Sequence, residues 1–234
     1  AYMVIILIAS LFIKSASGNQ TAKTAQPVAG QEKLDQVNKN WLDMLKTPTF
    51  YIIFLMMFTG AFSGLMIAAN ASVIGQQMFG LTPTTAAFYV SLYSLSNCLG
   101  RVIWGTVSDK LGRNNTLYII LGVIILAFVL LLSLSSATGF AISIMILGIC
   151  FGGVMGVYPP LVMENYGPIN QGVNYGIVFC GYSVAAFFGP KIAVSIAKSN
   201  HGDFSKAFYV AIAVAVVGLI LNFVYQKTKG TAQN

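Results

Sequence analysis

Charged residues are scarce in this chain of 234 residues, since only 8% are Asp, Glu, Lys or Arg while 56% are apolar. Soluble domains contain about 25% charged residues, so this chain could not cover a water-facing surface of ordinary size. The scarcity excludes an ordinary soluble enzyme, a disordered chain and a nucleic-acid-binding protein. Long apolar runs stand where charge is missing, and they indicate a membrane protein.

Residues that build metal sites and disulfides are also few. Cys98, Cys150 and Cys180 lie in apolar runs without a Cys-x-x-Cys pair, which predicts free thiols. His201 is the only histidine, and no Gly-x-x-x-x-Gly-Lys-Ser/Thr loop occurs. We therefore expect no metal, no cofactor and no direct use of ATP by this chain.

Four stretches of the chain contain no charged residue, at 47–100, 114–163, 165–190 and 207–226. A helix needs about 20 apolar residues to cross a bilayer, so each long stretch predicts two spans and each short stretch predicts one. Turn-forming residues at 80–84 and 135–139 divide the long stretches. The predicted spans are 48–73, 84–107, 115–134, 138–160, 172–197 and 206–226.

The chain before the first span has a different pattern. Residues 1–13 are apolar but too short to span and lack the basic start of a signal peptide, so we interpret them as the end of a truncated transmembrane helix. Residues 14–47 are polar and predict a connecting loop, within which 31–45 has a helical apolar period typical of a short interfacial helix. The expected six-helix unit covers 48–226, and 227–234 is its tail.

The distribution of Lys and Arg predicts the orientation, because cytoplasmic loops of membrane proteins are rich in both. One side carries only Lys198 and Lys206 in its loops. The other side carries Lys14, Lys23, Lys33, Lys39, Lys46, Lys110, Arg113, Lys227 and Lys229. We therefore place residues 14–47, the loops 108–114 and 161–171 and the C-terminal tail in the cytoplasm, with the helices in a plasma or inner membrane.

A short motif joins the second and third predicted spans. It reads Gly105-Thr106-Val107-Ser108-Asp109-Lys110-Leu111-Gly112-Arg113. This resembles the Gly-x-x-x-Asp-[Arg/Lys]-x-Gly-[Arg/Lys]-[Arg/Lys] loop signature of the major facilitator superfamily, with Asn114 at the last basic position. The resemblance implies an all-α integral membrane protein of two six-helix halves, in which this chain looks like the C-terminal half. Its partner would then be a missing N-terminal half, and residues 14–47 would be the cytoplasmic central loop.

The same resemblance implies a gating role for the charges of this motif. We expect Arg113 to reach Glu164 and Asp109 to approach a helix of the N-terminal half. Such links would hold the inward gate closed and break during alternating access. The alternative is that these charges lie in water, where exposed pairs contribute little. The gating candidates are Gly105, Asp109, Lys110, Gly112, Arg113 and Glu164.

Three shorter segments resemble the oxalate/formate antiporter family: Met44-Leu45-Lys46-Thr47-Pro48-Thr49-Phe50, Arg101-Val102-Ile103-Trp104-Gly105 and Asn174-Tyr175-Gly176. This resemblance implies a carrier of small carboxylates with a substrate-binding arginine at Arg101. It also implies a second cation eight residues after Asn174, where this chain has Tyr182. One cation in place of two disfavours a dianion such as oxalate and favours a monocarboxylate such as pyruvate, formate or lactate.

Arg101 is also the strongest candidate on physical grounds. A charged side chain inside a span costs several kcal/mol unless it faces a wet cavity or a partner, and the planar guanidinium suits a carboxylate. The alternatives are an arginine that reaches the lipid headgroups or pairs with an acidic loop residue. Tyr93 and Asn97 share its helical stripe, where they either extend the polar face or form hydrogen bonds between helices.

Phe179 and Lys191 complete the candidate substrate site. Phe179 lies one turn before Tyr182 and is a candidate wall. Lys191 lies on the opposite side of the helix from Tyr182, so a substrate role would require a helix break at Gly189-Pro190; we favour an anchor at the outer interface. The substrate-binding candidates are Tyr93, Asn97, Arg101, Phe179, Tyr182 and Lys191.

Glycines at intervals of four residues predict close helix packing. Gly148, Gly152 and Gly156 form one such series, and Gly60 and Gly64 form another. Tyr158-Pro159-Pro160 is expected to end or bend its helix.

Two functions remain open on these observations. The first is a secondary carrier of small organic anions, whose partners are the carboxylate, the lipid bilayer and the N-terminal half, and not nucleic acid. The second is a scaffold or sensor that has kept the carrier fold without transport. A membrane enzyme is disfavoured because no catalytic cluster is recognisable.

Overall fold

The structure is a computed structural model that describes residues 38–134 and 136–231. These residues form seven α-helices, and no strand occurs among them. The helices are α1 (Trp41–Leu45), α2 (Pro48–Phe79), α3 (Pro83–Leu111), α4 (Arg113–Ser133), α5 (Ala137–Tyr166), α6 (Gln171–Ser199) and α7 (Ser205–Thr231). The predictions for residues 1–13 and for 14–37 lie outside the described residues.

Local sequence explains where the long helices begin and end. Pro48 and Pro83 open α2 and α3, where a missing backbone N–H removes no helical hydrogen bond. Ser136 caps α5, because its hydroxyl accepts a hydrogen bond of 3.0 Å from the backbone N–H of Gly139. Gly80 ends α2 at φ 63°, and Gly112 separates α3 from α4 at φ 82°, a left-handed region that favours glycine.

Six long helices match the six predicted spans, and five are both long and apolar enough to cross a membrane: α2, α4, α5, α6 and α7 up to Thr228. α3 reaches about 44 Å at 1.5 Å per residue, which also suffices in length. It is more polar than the others because serines, threonines, Asn97 and Arg101 lie along it. A span with this composition is typical of one that borders a polar cavity.

Several predicted boundaries are wrong because the helices run further than the apolar windows. α2 ends at Phe79 rather than 73, and α5 continues through Pro159 and Pro160 to Tyr166. α3 continues to Leu111, so most of the predicted 108–114 loop is helical and Gly112 makes the turn. α7 extends to Thr231, and the predicted tail therefore begins inside a helix. A helix end outside the bilayer can be polar, and hydropathy does not locate it.

The expected interfacial helix over 31–45 is shorter within the described residues. Only Trp41–Leu45 is helical, and Asn40 is its N-cap with extended backbone angles. The backbone just before this helix forms a hydrogen bond with another part of the chain, because the N–H of Lys39 donates to the carbonyl of Tyr166 at 3.0 Å. A residue held in this way cannot continue an α-helix.

α2 and α5 occupy the centre of the bundle. α3 packs on α5, α6 packs on α2, and α4 and α7 close the side between them. A Cβ at Gly152 would lie 2.1 Å from the carbonyl oxygen of Asn97, and one at Gly148 would lie 2.7 Å from that of Tyr93. The predicted close packing at these glycines is confirmed, since α3 and α5 touch backbone to backbone.

The connections define two ends of the bundle. At the Gly112 end, α3 joins α4 and α5 joins α6, and α1 lies beside the start of α2. At the Gly202 end, the turn at Gly80 joins α2 to α3, and residues 200–204 join α6 to α7.

Candidate functional site

Arg101 lies well inside α3 with its side chain exposed. It is about 15 Å along the axis from the helix end at Leu111. Its Nη2 lies 3.4 Å from the side-chain oxygen of Asn97. Among the described residues no carboxylate pairs with Arg101, so its positive charge is not neutralised there.

The backbone of α5 fixes the position of Arg101. A Cβ at Gly152 would lie 2.9 Å from the backbone nitrogen of Arg101, and one at Gly156 would lie 2.7 Å from its carbonyl oxygen. No side chain separates the two helices at this level. The guanidinium therefore projects from a backbone that has little freedom to shift.

An aromatic ladder on α6 stands beside this position. The ring centroids of Tyr175 and Phe179 are 5.5 Å apart, and those of Phe179 and Tyr182 are 4.5 Å apart at 13° between planes. Tyr182 also stacks on Phe151 of α5 at 6.2 Å. Tyr175 is close enough to Arg101 for an electrostatic interaction. Phe179 and Tyr182 thus share one surface, as the sequence suggested.

Tyr175 is the aromatic residue that the sequence reasoning missed. It carried a family resemblance as part of Asn174-Tyr175-Gly176 but was not considered as a site residue. The spacing Tyr175, Phe179 and Tyr182 places the three side chains on one helical face. Tyr175 could have been found from this spacing, because it shares a helical face with Phe179 and Tyr182, which were already candidates.

Tyr93 and Asn97 have different surroundings on the stripe of Arg101. Tyr93 is buried, and its hydroxyl donates a 2.7 Å hydrogen bond to the carbonyl of Gly64 on α2. That bond joins two helices, which was the alternative interpretation of this residue. The Nδ2 of Asn97 is buried and has no partner in the described part of the chain, while its Oδ1 faces Arg101.

Lys191 is not brought to Tyr182. The helix break that a shared site would require is absent, since Pro190 sits inside the continuous helix α6. In an ideal α-helix the two residues are then about 180° apart around the axis and about 13 Å apart along it. The Nζ of Lys191 lies 4.9 Å from the ring centroid of Phe187, and the side chain is exposed. This position suits the anchor that the sequence favoured.

The gating candidates meet around Arg113 at the Gly112 end. Nε of Arg113 lies 3.0 Å from Oε1 of Glu164, and Nη1 lies 2.6 Å from Oδ1 of Asp109. The Ser108 hydroxyl also accepts a hydrogen bond from Nη1. The Arg113 side chain is only 14% exposed. The expected contact with Glu164 is present, and Ser108 is an additional partner that the motif analysis missed.

The remaining candidates of this motif make fewer contacts. Lys110 is exposed and has no ion pair with a described residue. No neighbouring atom lies within 4 Å of a Cβ built at Gly105 or Gly112. The chain needs Gly112 for its positive φ, whereas nothing in the described contacts requires glycine at Gly105.

A second polar cluster at the Gly112 end was not foreseen from the sequence. The backbone carbonyl of Lys39 accepts hydrogen bonds from the side-chain amides of Asn170 at 3.2 Å and Asn174 at 3.0 Å. The N–H of Lys39 donates to Tyr166. We call these four residues the Lys39 clamp. It fastens the segment before α2 to the connection between α5 and α6.

The sequence of the chain is similar to the sequences of several known proteins. A family model described as Major Facilitator Superfamily matches residues 1–190. The chain is 27% identical over 221 residues to the oxalate:formate antiporter of Oxalobacter formigenes, covering 94% of the chain and 51% of that protein. It is 30% identical over 146 residues to an uncharacterised MFS-type transporter of Escherichia coli K12, covering 62% of the chain and 36% of the relative.

A third relative is the apicoplast pyruvate carrier 1 of Toxoplasma gondii, 32% identical over 114 residues, which are 47% of this chain and 20% of the carrier. The chain spans about half the length of the antiporter and less of the other two. These relatives are transporters, and the family match covers most of the chain. The chain therefore belongs to the major facilitator superfamily and is a multi-pass membrane protein.

Proposed function

We propose that this chain takes part in secondary active transport of a small organic anion, by antiport or symport and alternating access. The favoured substrate is a monocarboxylate such as pyruvate, formate or lactate. The observation that carries this proposal is Arg101, an exposed cation inside a membrane helix that has no carboxylate partner among the described residues. An intramembrane charge of this kind normally marks a substrate or ion pathway.

The chemistry around Arg101 suits one carboxylate group. A guanidinium can donate two parallel hydrogen bonds to a carboxylate and stays charged at every physiological pH. Tyr175 and Tyr182 add neutral hydroxyl donors, and the rings of the aromatic ladder offer an apolar surface to the carbon part of the substrate. Lys191 is about 13 Å from Tyr182 along α6, so a second cation is not available for a dianion at this level.

The names of two relatives support the same substrate class. One is an oxalate:formate antiporter and another is a pyruvate carrier, and both names refer to small carboxylates. We infer that the other wall of the cavity comes from an N-terminal half of the whole protein. We also infer a plasma or inner membrane location with the Gly112 end in the cytoplasm, because that end carries more Lys and Arg.

The cluster around Arg113 is proposed to serve as the inner gate. Its ion pairs link the start of α4 to the ends of α3 and α5. Alternating access requires that one end of the carrier is held closed while the other opens. The cluster would hold Asp109, which is 65% exposed, in position to approach a helix of the N-terminal half, and that link would break in the inward-open state.

The direct test is uptake of labelled pyruvate, formate, lactate and oxalate by the full-length protein in liposomes. We expect uptake of at least one monocarboxylate. Arg101→Gln should lower it by about 10- to 200-fold, the equivalent of losing a hydrogen bond to a charged group worth about 1.5–3 kcal/mol. Lys206→Gln, which removes an exposed cation at the start of α7, is the matched control and should transport normally.

Two results would contradict the proposal in different ways. Normal transport by a well-folded Arg101→Gln protein would remove Arg101 from the substrate site. Failure of the unaltered protein to move any carboxylate from either side would favour the second function, a scaffold or sensor that retains the carrier fold.

A further inference from the structure

Two adjoining clefts lie at the Gly202 end, where α2 and α6 separate. The first has a volume of about 330 Å³ and is lined by Asn70, Val73, Gln77, Val194, Ala197, Lys198, Gly202 and Phe204. The second has a volume of about 440 Å³ and is lined by Pro190, Lys191, Val194, Ser195 and Lys198. They share Val194 and Lys198, so the Lys198 side chain borders both. We call the pair the Lys198 cleft.

Positive charge in this cleft is not neutralised by protein groups. No acidic residue lines either part, and within the described ranges neither Lys191 nor Lys198 forms an ion pair. Asp203 is the acidic residue of the adjacent loop, and its carboxylate accepts hydrogen bonds from the backbone N–H and the hydroxyl of Ser205 at 2.9 and 2.6 Å. The carboxylate closest in sequence is therefore already engaged.

The walls of the cleft are built by the fold. Ala193 and Ala197 are buried on the side of α6 that packs in the bundle, which leaves Val194 and Lys198 on its open side. Gly202 has φ 90°, and a Cβ there would lie 3.1 Å from Oε1 of Gln77. The 200–204 turn thus closes over Gln77 and brings an amide to the same space as the Lys198 ammonium.

We propose that the Lys198 cleft is a second, outer binding site for the small organic anion that the carrier transports. The ammonium of Lys198 binds the anionic oxygens, with the Gln77 amide as a further donor. The inference rests on the proposed function and names a place where the substrate binds before it reaches Arg101. Lys191 lies between Lys198 and Tyr182 on α6, about 10 Å along the helix axis from Lys198 and about 13 Å from Tyr182 at 1.5 Å per residue.

The volume of the cleft and the donor groups in its lining suit a small carboxylate. Each part of the cleft lies near the lower end of the range of about 300–1,000 Å³ found for ligand pockets, which is ample for a few heavy atoms. Three of the lining side chains, those of Asn70, Gln77 and Lys198, are amides or an ammonium. The rest of the lining is mostly apolar, so these groups supply the hydrogen-bond donors for a carboxylate while Val73, Val194 and Phe204 contact its carbon part.

The first experiment measures protection of lysines from an amine-acylating reagent. The full-length protein is placed in liposomes of zwitterionic lipid and labelled with and without pyruvate, formate, lactate or oxalate, and each lysine is quantified by mass spectrometry. We expect several-fold slower labelling of Lys198 with at least one of the monocarboxylates. Lys206, at the same end but outside the cleft, should label at an unchanged rate, and the protection should persist in Arg101→Gln.

The second experiment measures transport. Lys198→Gln should raise the substrate concentration for half-maximal uptake by about 3- to 10-fold at low ionic strength, with a nearly unchanged maximal rate, because a capture site acts on encounter. The effect should fade in high salt, which screens the ammonium. Lys206→Gln should change neither quantity.

The outcomes separate this proposal from the one on which it rests. Uptake that depends on Arg101 together with unprotected Lys198 would overturn the outer site and leave the transport function intact. Protection of Lys198 in protein that moves no carboxylate would support the binding site and contradict the proposed function. Protection by added anionic phospholipid but by none of the four carboxylates would overturn the proposal in favour of a lipid site.

Discussion

The two ends of the bundle treat their cations in opposite ways. At the Gly112 end, Arg113 is mostly buried and bound to both Asp109 and Glu164. At the Gly202 end, Lys191 and Lys198 line open clefts and have no carboxylate partner in the described chain. The positive charge of Arg113 is thus neutralised inside the protein, whereas the charges of Lys191 and Lys198 are left available.

This difference separates structural charges from charges that can bind a ligand. A cation whose carboxylates already surround it gains little from a further anion, since the new contact must displace an existing one. An unpaired cation in a polar cleft offers its full charge to a small anion. By that criterion Arg101 belongs with Lys198 and not with Arg113, although only 12 residues separate the two arginines in the sequence.

The largest effect is expected for Arg113→Gln, which tests the ion pairs at the Gly112 end. The change leaves Glu164 and Ser108 without their donor, and we expect a loss of about 1–3 kcal/mol in the free energy of unfolding. It should also slow transport if the cluster gates the inner end. Thermal unfolding in detergent and uptake in liposomes measure the two effects separately.

Lys46→Gln is the matched control for this change. Lys46 pairs with Asp43 at 3.3 Å, but the side chains are 76% and 51% exposed, so the pair should contribute about 0–1 kcal/mol. Equal destabilisation by both variants would show that burial of Arg113 does not set it apart and would weaken the contrast between the two ends.

The Lys39 clamp gives the next effect in size. Asn174→Ala removes a buried amide that holds the carbonyl of Lys39, and the carbonyl keeps only its longer bond to Asn170. We expect a loss of about 1–2 kcal/mol, measured by thermal unfolding, and faster amide hydrogen exchange in residues 39–45. Asn115→Ala is the control, because its exposed side chain bonds only to the Leu111 carbonyl one turn earlier.

Hydrogen exchange decides between two explanations of that result. Faster exchange confined to α6 would mean that Asn174 stabilises its own helix start and that the segment before α2 is held by other contacts. Faster exchange in residues 39–45 as well would show that the clamp couples the segment to the bundle.

The helices were largely predictable because charge and hydropathy have a direct physical meaning in a bilayer. Runs without charge located all six long helices, and Pro48 and Pro83 marked the starts of two of them. The remaining ends were misplaced, since a helix that leaves the membrane can continue through polar residues. Leu111 and Tyr166 end their helices at a following glycine with positive φ, and no change in hydropathy marks those positions.

The candidate site was predictable only where a residue has an unusually high free-energy cost inside the membrane. Arg101 was identifiable because a charge in a span requires an explanation, and its spacing from Asn97 placed the two residues on one helical stripe. Contacts between distant segments could not be read in this way. The bond from Tyr93 to Gly64, the hold of Asn174 on Lys39 and the Lys198 cleft all depend on how α2, α3 and α6 are placed.

The smallest effect is expected at the Gly202 end. The hydroxyl and the N–H of Ser205 donate to Asp203 and lower the pKa of its carboxyl below the ordinary value of 3.8. The charged form therefore stabilises the folded state above about pH 4, and this contribution is lost as the pH falls through the lowered pKa.

Asp203→Asn keeps an acceptor for Ser205 but removes the charge, so it should lower stability at pH 7 by less than about 0.5 kcal/mol, as expected for an exposed site. The difference between the two proteins in thermal unfolding should shrink towards pH 3. A difference that stays constant from pH 7 to pH 3 would mean that the charge of Asp203 does not stabilise this turn, and that the turn which closes the Lys198 cleft depends on Gly202 and Phe204 alone.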